Sequence, residues 1–118
     1  MVSEEPVEEE QTRAVPAFVL VAIAKGAITG GICAVRTWQR TGNIRSTLYD
    51  CAVGFADGAI ASACKKGKLV RDLWDAVQFL RTSGAFANAV QRRDYVACGR
   101  VVQDALGDKL VQIVLACW

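Results

Sequence analysis

The sequence contains no histidine, only two prolines and one methionine, and not one glutamate after position 10. Without histidine the commonest general base is missing, and so is the usual partner of a serine or cysteine nucleophile, which argues against an enzyme. The same absence removes a ligand of most mixed zinc sites. The five cysteines, Cys33, Cys51, Cys64, Cys98 and Cys117, also lack C-x-x-C spacing. No metal and no cofactor are expected. Gly67-Lys68 lacks the glycine loop of a phosphate-binding motif, and Gly26-x-x-x-Gly30-Gly31 lacks the strand and spacing of a dinucleotide fingerprint.

Charge is scarce as well, at 22% of 118 residues, while 53% are hydrophobic. So apolar a balance in so short a chain makes a membrane segment a live expectation and leaves room for one domain at most. All five glutamates, Glu4, Glu5, Glu8, Glu9 and Glu10, sit in the first ten residues, so from Arg13 onward fourteen lysines and arginines face seven aspartates. That excess favours an acidic partner or anionic lipid. Nucleic acid is not expected as a partner, because the basic residues are scattered, apart from the Lys65, Lys66 and Lys68 knot, and carry no binding motif. The cysteines read as small buried apolar residues. In an oxidising compartment Cys51, Cys64, Cys98 and Cys117 could pair instead, with connectivity open.

Along the chain, residues 1–12 are acidic, lack aromatics and contain Pro6, the composition of a disordered tail. From residue 14 to 35 runs an apolar stretch with one charge, Lys25. A helix of about 20 residues crosses the ~30 Å hydrocarbon core, so a transmembrane helix over roughly residues 15–35 is predicted. Pro16 suits its first turn, and Arg13, Arg36, Trp38 and Arg40 resemble interfacial anchors. Lys25 costs about 2.5–3.5 kcal/mol on insertion scales, so the span is marginal.

A polar connector at residues 41–46 precedes a helix expected over residues 46–65, with Leu48, Cys51, Phe55, Ala59 and Ala63 on one stripe and Gly54 and Gly58 on another. Gly67 is expected to break it. Leu69, Val70, Leu73, Trp74, Val77 and Leu80 then define one face of an amphipathic helix ending near Ser83-Gly84. A further helix is expected over residues 85–106, interrupted near Gly99 and stopped at Gly107-Asp108, and residues 109–118 fit helix or strand equally. The expectation is an all-α chain: an N-terminal single transmembrane helix with its flanks (13–40), then a small set of amphipathic helices (41–118).

Two constellations carry a mechanism. Gly26-x-x-x-Gly30 makes a flat notch, extended by Ala22, Ala27 and Gly31 and headed by Lys25, into which another helix can pack closely. Arg71-Asp72-x-Trp74-Asp75-Ala76 sets a tryptophan among charges on the amphipathic helix. That pattern reads either as core plus solvated face or as a partner-docking anchor.

Those residues resemble the small bridging subunit of the mitochondrial MICOS complex, the MICOS subunit thirteen or QIL-type family. Its Lys-Gly-x-x-x-Gly-Gly-x-x-x-Val core appears as Lys25-Gly26 through Gly30-Gly31 to Val35, with a later glycine at Gly42. Its Arg-Asp-x-Trp-Asn-Ala stretch appears as Arg71-Asp72-Leu73-Trp74-Asp75-Ala76, with aspartate for the usual asparagine. Together the motifs cover under a quarter of the chain. The resemblance implies a single-pass subunit of the mitochondrial inner membrane that joins the mitofilin subcomplex to the small curvature-forming subunits and so supports cristae junctions. On that reading Ala22, Lys25, Gly26, Gly30 and Gly31 pack against a partner helix within membrane lipid, and Arg71 to Ala76 dock a partner in the intermembrane space. Arg36, Arg40 and Arg45 point to the opposite topology by positive-inside counting.

Two other readings stand beside it. Gly30-Gly31 could be a double-glycine export site releasing a cationic bacteriocin-like product. Alternatively the chain is a soluble helical interaction module built on its amphipathic helix.

Overall fold

In a computed structural model describing residues 15–59 and 66–117, the described residues form six α-helices and one 3-10 turn, with no strand among them. The all-α expectation holds, and the first helix is long and apolar enough to cross a membrane. The acidic tail at residues 1–12 lies outside the described residues.

Helix α1 (Ala17–Thr41) begins after Pro16, whose backbone is extended. It runs six residues beyond the expected Val35. It stops at Gly42, which takes the left-handed conformation (φ 65°) and donates its N–H to the Trp38 carbonyl at 2.9 Å. The connector expected at 41–46 is therefore far shorter. Asn43 starts the next helix by accepting from the Ser46 N–H at 3.0 Å, and α2 (Ile44–Ala59) follows at once.

The pair is an antiparallel hairpin in tight register. Gly58 meets Lys25 and Gly26, Gly54 meets Thr29 and Cys33, and Gly30 meets Cys51 and Phe55. At its closed end Thr37 donates to Asp50 Oδ2 at 2.6 Å and Thr47 donates to the Asn43 carbonyl at 2.7 Å. The two buried threonines thus have their hydroxyls satisfied.

Helix α3 (Lys66–Val77) buries Leu69, Leu73 and Val77, and a 3-10 turn over Gln78–Thr82 continues that stripe with Leu80. Gly67 was expected as a breaker but lies in the first turn of α3, where the backbone has few helical bonds to lose. Ser83 caps α4 (Gly84–Gln91), its hydroxyl accepting from the Phe86 N–H at 3.4 Å.

The expected interruption near Gly99 falls earlier. Arg93 adopts a left-handed φ of 59°, and the Asp94 N–H bonds back to the Ala89 carbonyl at 3.0 Å, a helix-ending pattern usually made with glycine. The Asp94 carboxylate then accepts from the Ala97 N–H at 3.1 Å and starts α5 (Tyr95–Leu106). Gly99 stays helical, and its missing Cβ admits α1 at Ala27. Gly107, at φ 53°, turns the chain into α6 (Asp108–Leu115), so the segment left open between helix and strand is helical over most of its length.

The core is continuous. Leu48, Phe55, Leu69, Phe86, Leu110 and Val114 are among its fully buried side chains, each contributing about 1.5–3 kcal/mol relative to exposure. The described residues after Gly42 therefore do not extend away from the end of α1; they fold back along it.

Candidate functional site

The inner face of α1 is a seam of small residues. Ala22, Gly26, Ala27, Gly30, Gly31 and Ala34 are all buried. A Cβ on Gly26 would lie 2.7 Å from the Phe55 carbonyl, and one on Gly30 would lie 2.8 Å from that of Cys51. On Gly31 a Cβ would run into the Tyr95 carbonyl, and on Gly99 into that of Ala27. The glycines let backbones approach where any side chain would hold them apart. The helices they admit are α2 and α5 of this same chain. Lys25, at the head of the motif, is exposed. Gly30-Gly31 is enclosed within this seam, so a protease could reach that peptide bond only after α1 left the bundle.

Buried thiols line the seam's neighbours. Cys51 is enclosed in α2, and burial pushes its thiol well above the ordinary range, with Cys98 and Cys33 adding to the shift. Burial pushes Cys98 up to about 11, with Asp94 adding to the rise. Both are free thiols, as is the half-buried Cys33; Cys64 lies outside the described residues. Thiols so protonated pack as small hydrophobes and are poor nucleophiles.

Apart from the exposed Lys25, which lies between Val21 and Ile28, the outer face of α1 is also apolar. Phe18, Leu20, Val21, Ile28 and Ile32 are exposed, Val21 by 53% and Ile28 by 49%. A bundle helix needs one apolar face, and α1 has two.

The second site surrounds Trp74. Its ring meets Tyr49 of α2 edge-on, with centroids 5.3 Å apart at 79°, and the Arg45 guanidinium sits 5.8 Å above it. Such a cation over an indole face is held by the ring's quadrupole. The aromatic pair separates two open clefts. One, about 420 Å³, is bordered by Arg40, Arg45, Ser46 and Asp50; the other, about 430 Å³, by Val53, Lys66, Val70 and Arg71.

Among the described residues Asp50 is the one acid lining either cleft. It accepts from Thr37 and sits 3.8 Å from Arg40. Lys66 pairs with Asp57. Among the described residues Arg45 and Arg71 have no carboxylate within 4 Å. The clefts are thus cationic, aromatic and open, equipped to bind an anion that carries apolar groups.

Of the residues singled out around Trp74, Arg71 and Trp74 share this site. Asp72 turns along its own helix to Lys68 at 2.8 Å, a bond that raises the Lys68 pKa. Asp75 is exposed, Ala76 packs against the core, and neither borders a cleft. Sequence reasoning missed Arg40, Arg45, Tyr49 and Lys66 as site residues. The Arg45/Tyr49 spacing of four was visible, but nothing in the sequence set α2 beside α3. Compared with protein-family models, curated proteins and solved structures, the chain finds no match.

Proposed function

We propose that the chain is a membrane-associated assembly subunit of the MICOS type, bridging the mitofilin subcomplex and the small curvature-forming subunits at cristae junctions of the mitochondrial inner membrane. The observation that carries the membrane part is the outer face of α1. Phe18, Leu20, Val21, Ile28 and Ile32 stay exposed on a helix whose opposite face already satisfies the fold. Exposed apolar stripes of this extent mark lipid or partner contact. The assignment to MICOS rests on the Lys25-Gly26 to Val35 and Arg71 to Ala76 resemblance. In this reading the glycine seam builds the subunit itself, partners and lipid meet the outer face, and the Trp74 clefts are a second contact.

A second reading, a water-soluble helical interaction module, is favoured by one feature. Asp57 and Lys66 pair beside Gly58, which packs at the level of Lys25 and Gly26, well inside the apolar stretch of α1. An ion pair at that depth is costly in hydrocarbon. Carbonate extraction of mitochondria expressing the tagged full chain separates the two, followed by pull-down from detergent extract and mass spectrometry. Retention in the pellet with mitofilin and the other MICOS subunits recovered is the expected result. Release to the supernatant would overturn the integral-membrane part, and recovery without MICOS subunits would overturn the assignment.

A further inference from the structure

We infer that the Arg40/Arg45 cleft beside Trp74 binds the phosphate of an anionic phospholipid headgroup. This inference rests on the membrane part of the proposed function and adds a ligand to it.

Position is the first argument. The apolar run of α1 ends at Val35, and Arg40 follows five residues later, about 7.5 Å along the helix. The headgroup zone of a bilayer extends about 5–8 Å beyond each side of its hydrocarbon core. With the Phe18 to Ile32 stripe in hydrocarbon, the cleft mouth lies at headgroup depth, and Trp38 between them suits the same zone.

Charge is the second. Arg40 and Arg45 share one carboxylate, Asp50, which accepts from Thr37 and lies 3.8 Å from Arg40, so the cleft keeps a net positive charge. Arg45 has no acid within 4 Å among the described residues, and its guanidinium is set over Trp74 instead. A planar guanidinium held over the ring rather than against a carboxylate keeps its donors available, and its fork suits phosphate oxygens.

The remaining lining fits the same ligand. Ser46 sits beside Arg45 in the first turn of α2, where the positive end of the helix dipole also favours an anion. Tyr49 and Trp74 supply apolar ring surface for the glycerol and first acyl carbons. An acidic peptide would share the arginines, but it gives no reason for the cleft to lie just past the end of an apolar stripe.

The test is flotation of the purified full chain with phosphatidylcholine vesicles, with and without phosphatidylglycerol. Neutral vesicles report the outer face of α1; the gain on adding phosphatidylglycerol reports the cleft. Arg40→Gln with Arg45→Gln should cut that gain about 25-fold, from two residues each giving roughly a fivefold factor, and leave neutral binding unchanged. Arg92→Gln with Arg93→Gln removes the same charge outside the cleft but beside Trp38 and Gln39, at the same depth, and should cost far less. Equal losses in the two double variants would overturn the site in favour of diffuse attraction. Loss of neutral binding in the wild-type chain would instead overturn the membrane reading beneath it.

Trp74 fluorescence, in a chain with Trp38→Phe and Trp118→Phe, distinguishes the sources of phosphate. Quenching by vesicles but not by glycerol phosphate is expected. Saturation by glycerol phosphate with no vesicle gain would show a free-phosphate site and overturn the headgroup. Saturation by poly-glutamate alone would overturn it in favour of an acidic chain. Circular dichroism confirms that each variant is folded, and Arg45→Lys, which keeps the charge and gives up the planar fork, should restore only part of the gain.

Discussion

The two long faces of α1 are apolar for different reasons. On the inner face Ala22, Gly26, Ala27, Gly30, Gly31 and Ala34 are small, and the backbones of α2 and α5 lie against them. On the outer face Phe18, Leu20, Val21, Ile28 and Ile32 are large and exposed. Small residues gain by proximity: they admit another backbone, and their specificity lies in what they exclude. Large exposed residues gain by area and fit any apolar surface. One helix thus pairs a rigid, self-complementary face with a permissive one.

The inner face should be the more fragile by a wide margin. Gly31→Leu drives a side chain into the Tyr95 carbonyl, and the obstacle is backbone rather than the movable tip of a side chain. Overpacking costs about 1–3 kcal/mol where neighbours can shift and more where they cannot, so a loss above ~3 kcal/mol is expected, a large share of a 5–15 kcal/mol stability. Urea unfolding followed by circular dichroism measures it. A loss below ~1 kcal/mol would mean that α5 slides freely on α1, and the contrast between the faces would fail.

The thiols behind the inner face give it a pH dependence that the outer face lacks. Burial pushes the Cys98 thiol up to about 11 from its ordinary 9.0. Raised acid pKa values leave stability intact below pH 9 and remove it as the unfolded chain ionises first. Stability should therefore fall between pH 9 and pH 11 by about 2–3 kcal/mol at most from this group, with Cys51 adding to it. Cys98→Ala should flatten that slope in chemical denaturation at each pH; an unchanged slope would show that Cys98 takes no part.

A smaller effect is expected where α5 starts. Asp94 caps the helix that lies across Gly31 and Ala27, and Asp94→Ala should cost about 1 kcal/mol. The drop in thermal midpoint should be matched by Ser83→Ala at the equivalent cap of α4 only if both helices matter equally to the bundle.

Much of this was legible in the sequence, and the rest was hidden for identifiable reasons. The apolar run after Pro16 announces α1, and Leu69, Leu73 and Val77 announce the buried face of α3. The Gly54 and Gly58 stripe was visible, yet a small-residue stripe names no partner, and the resemblance pointed Gly26, Gly30 and Gly31 to a partner's helix, whereas they face Cys51 and Phe55 of α2 and Tyr95 of α5 in this chain. The end of α4 was hidden because Arg93, with no glycine to mark it, takes a left-handed φ. The Trp74 clefts were hidden because they join α1, α2 and α3 through tertiary contacts, which local spacing does not encode.

The outer face supplies the sharpest contrast, because there the effect on stability is smallest. Val21 and Ile28 are about half exposed, so Val21→Ser with Ile28→Ser should shift stability by no more than ~0.5 kcal/mol for each site. Their apolar area is what a membrane or partner would cover. At roughly 25 cal/mol per Å² even a partial loss should weaken vesicle flotation and reduce retention in carbonate pellets. The inner-face variant Gly31→Leu and this outer-face pair should therefore fail in opposite assays, one unfolding and the other folding normally but letting go of its surroundings. If the outer-face pair unfolds the chain instead, those residues belong to the core, and α1 has no second face to offer.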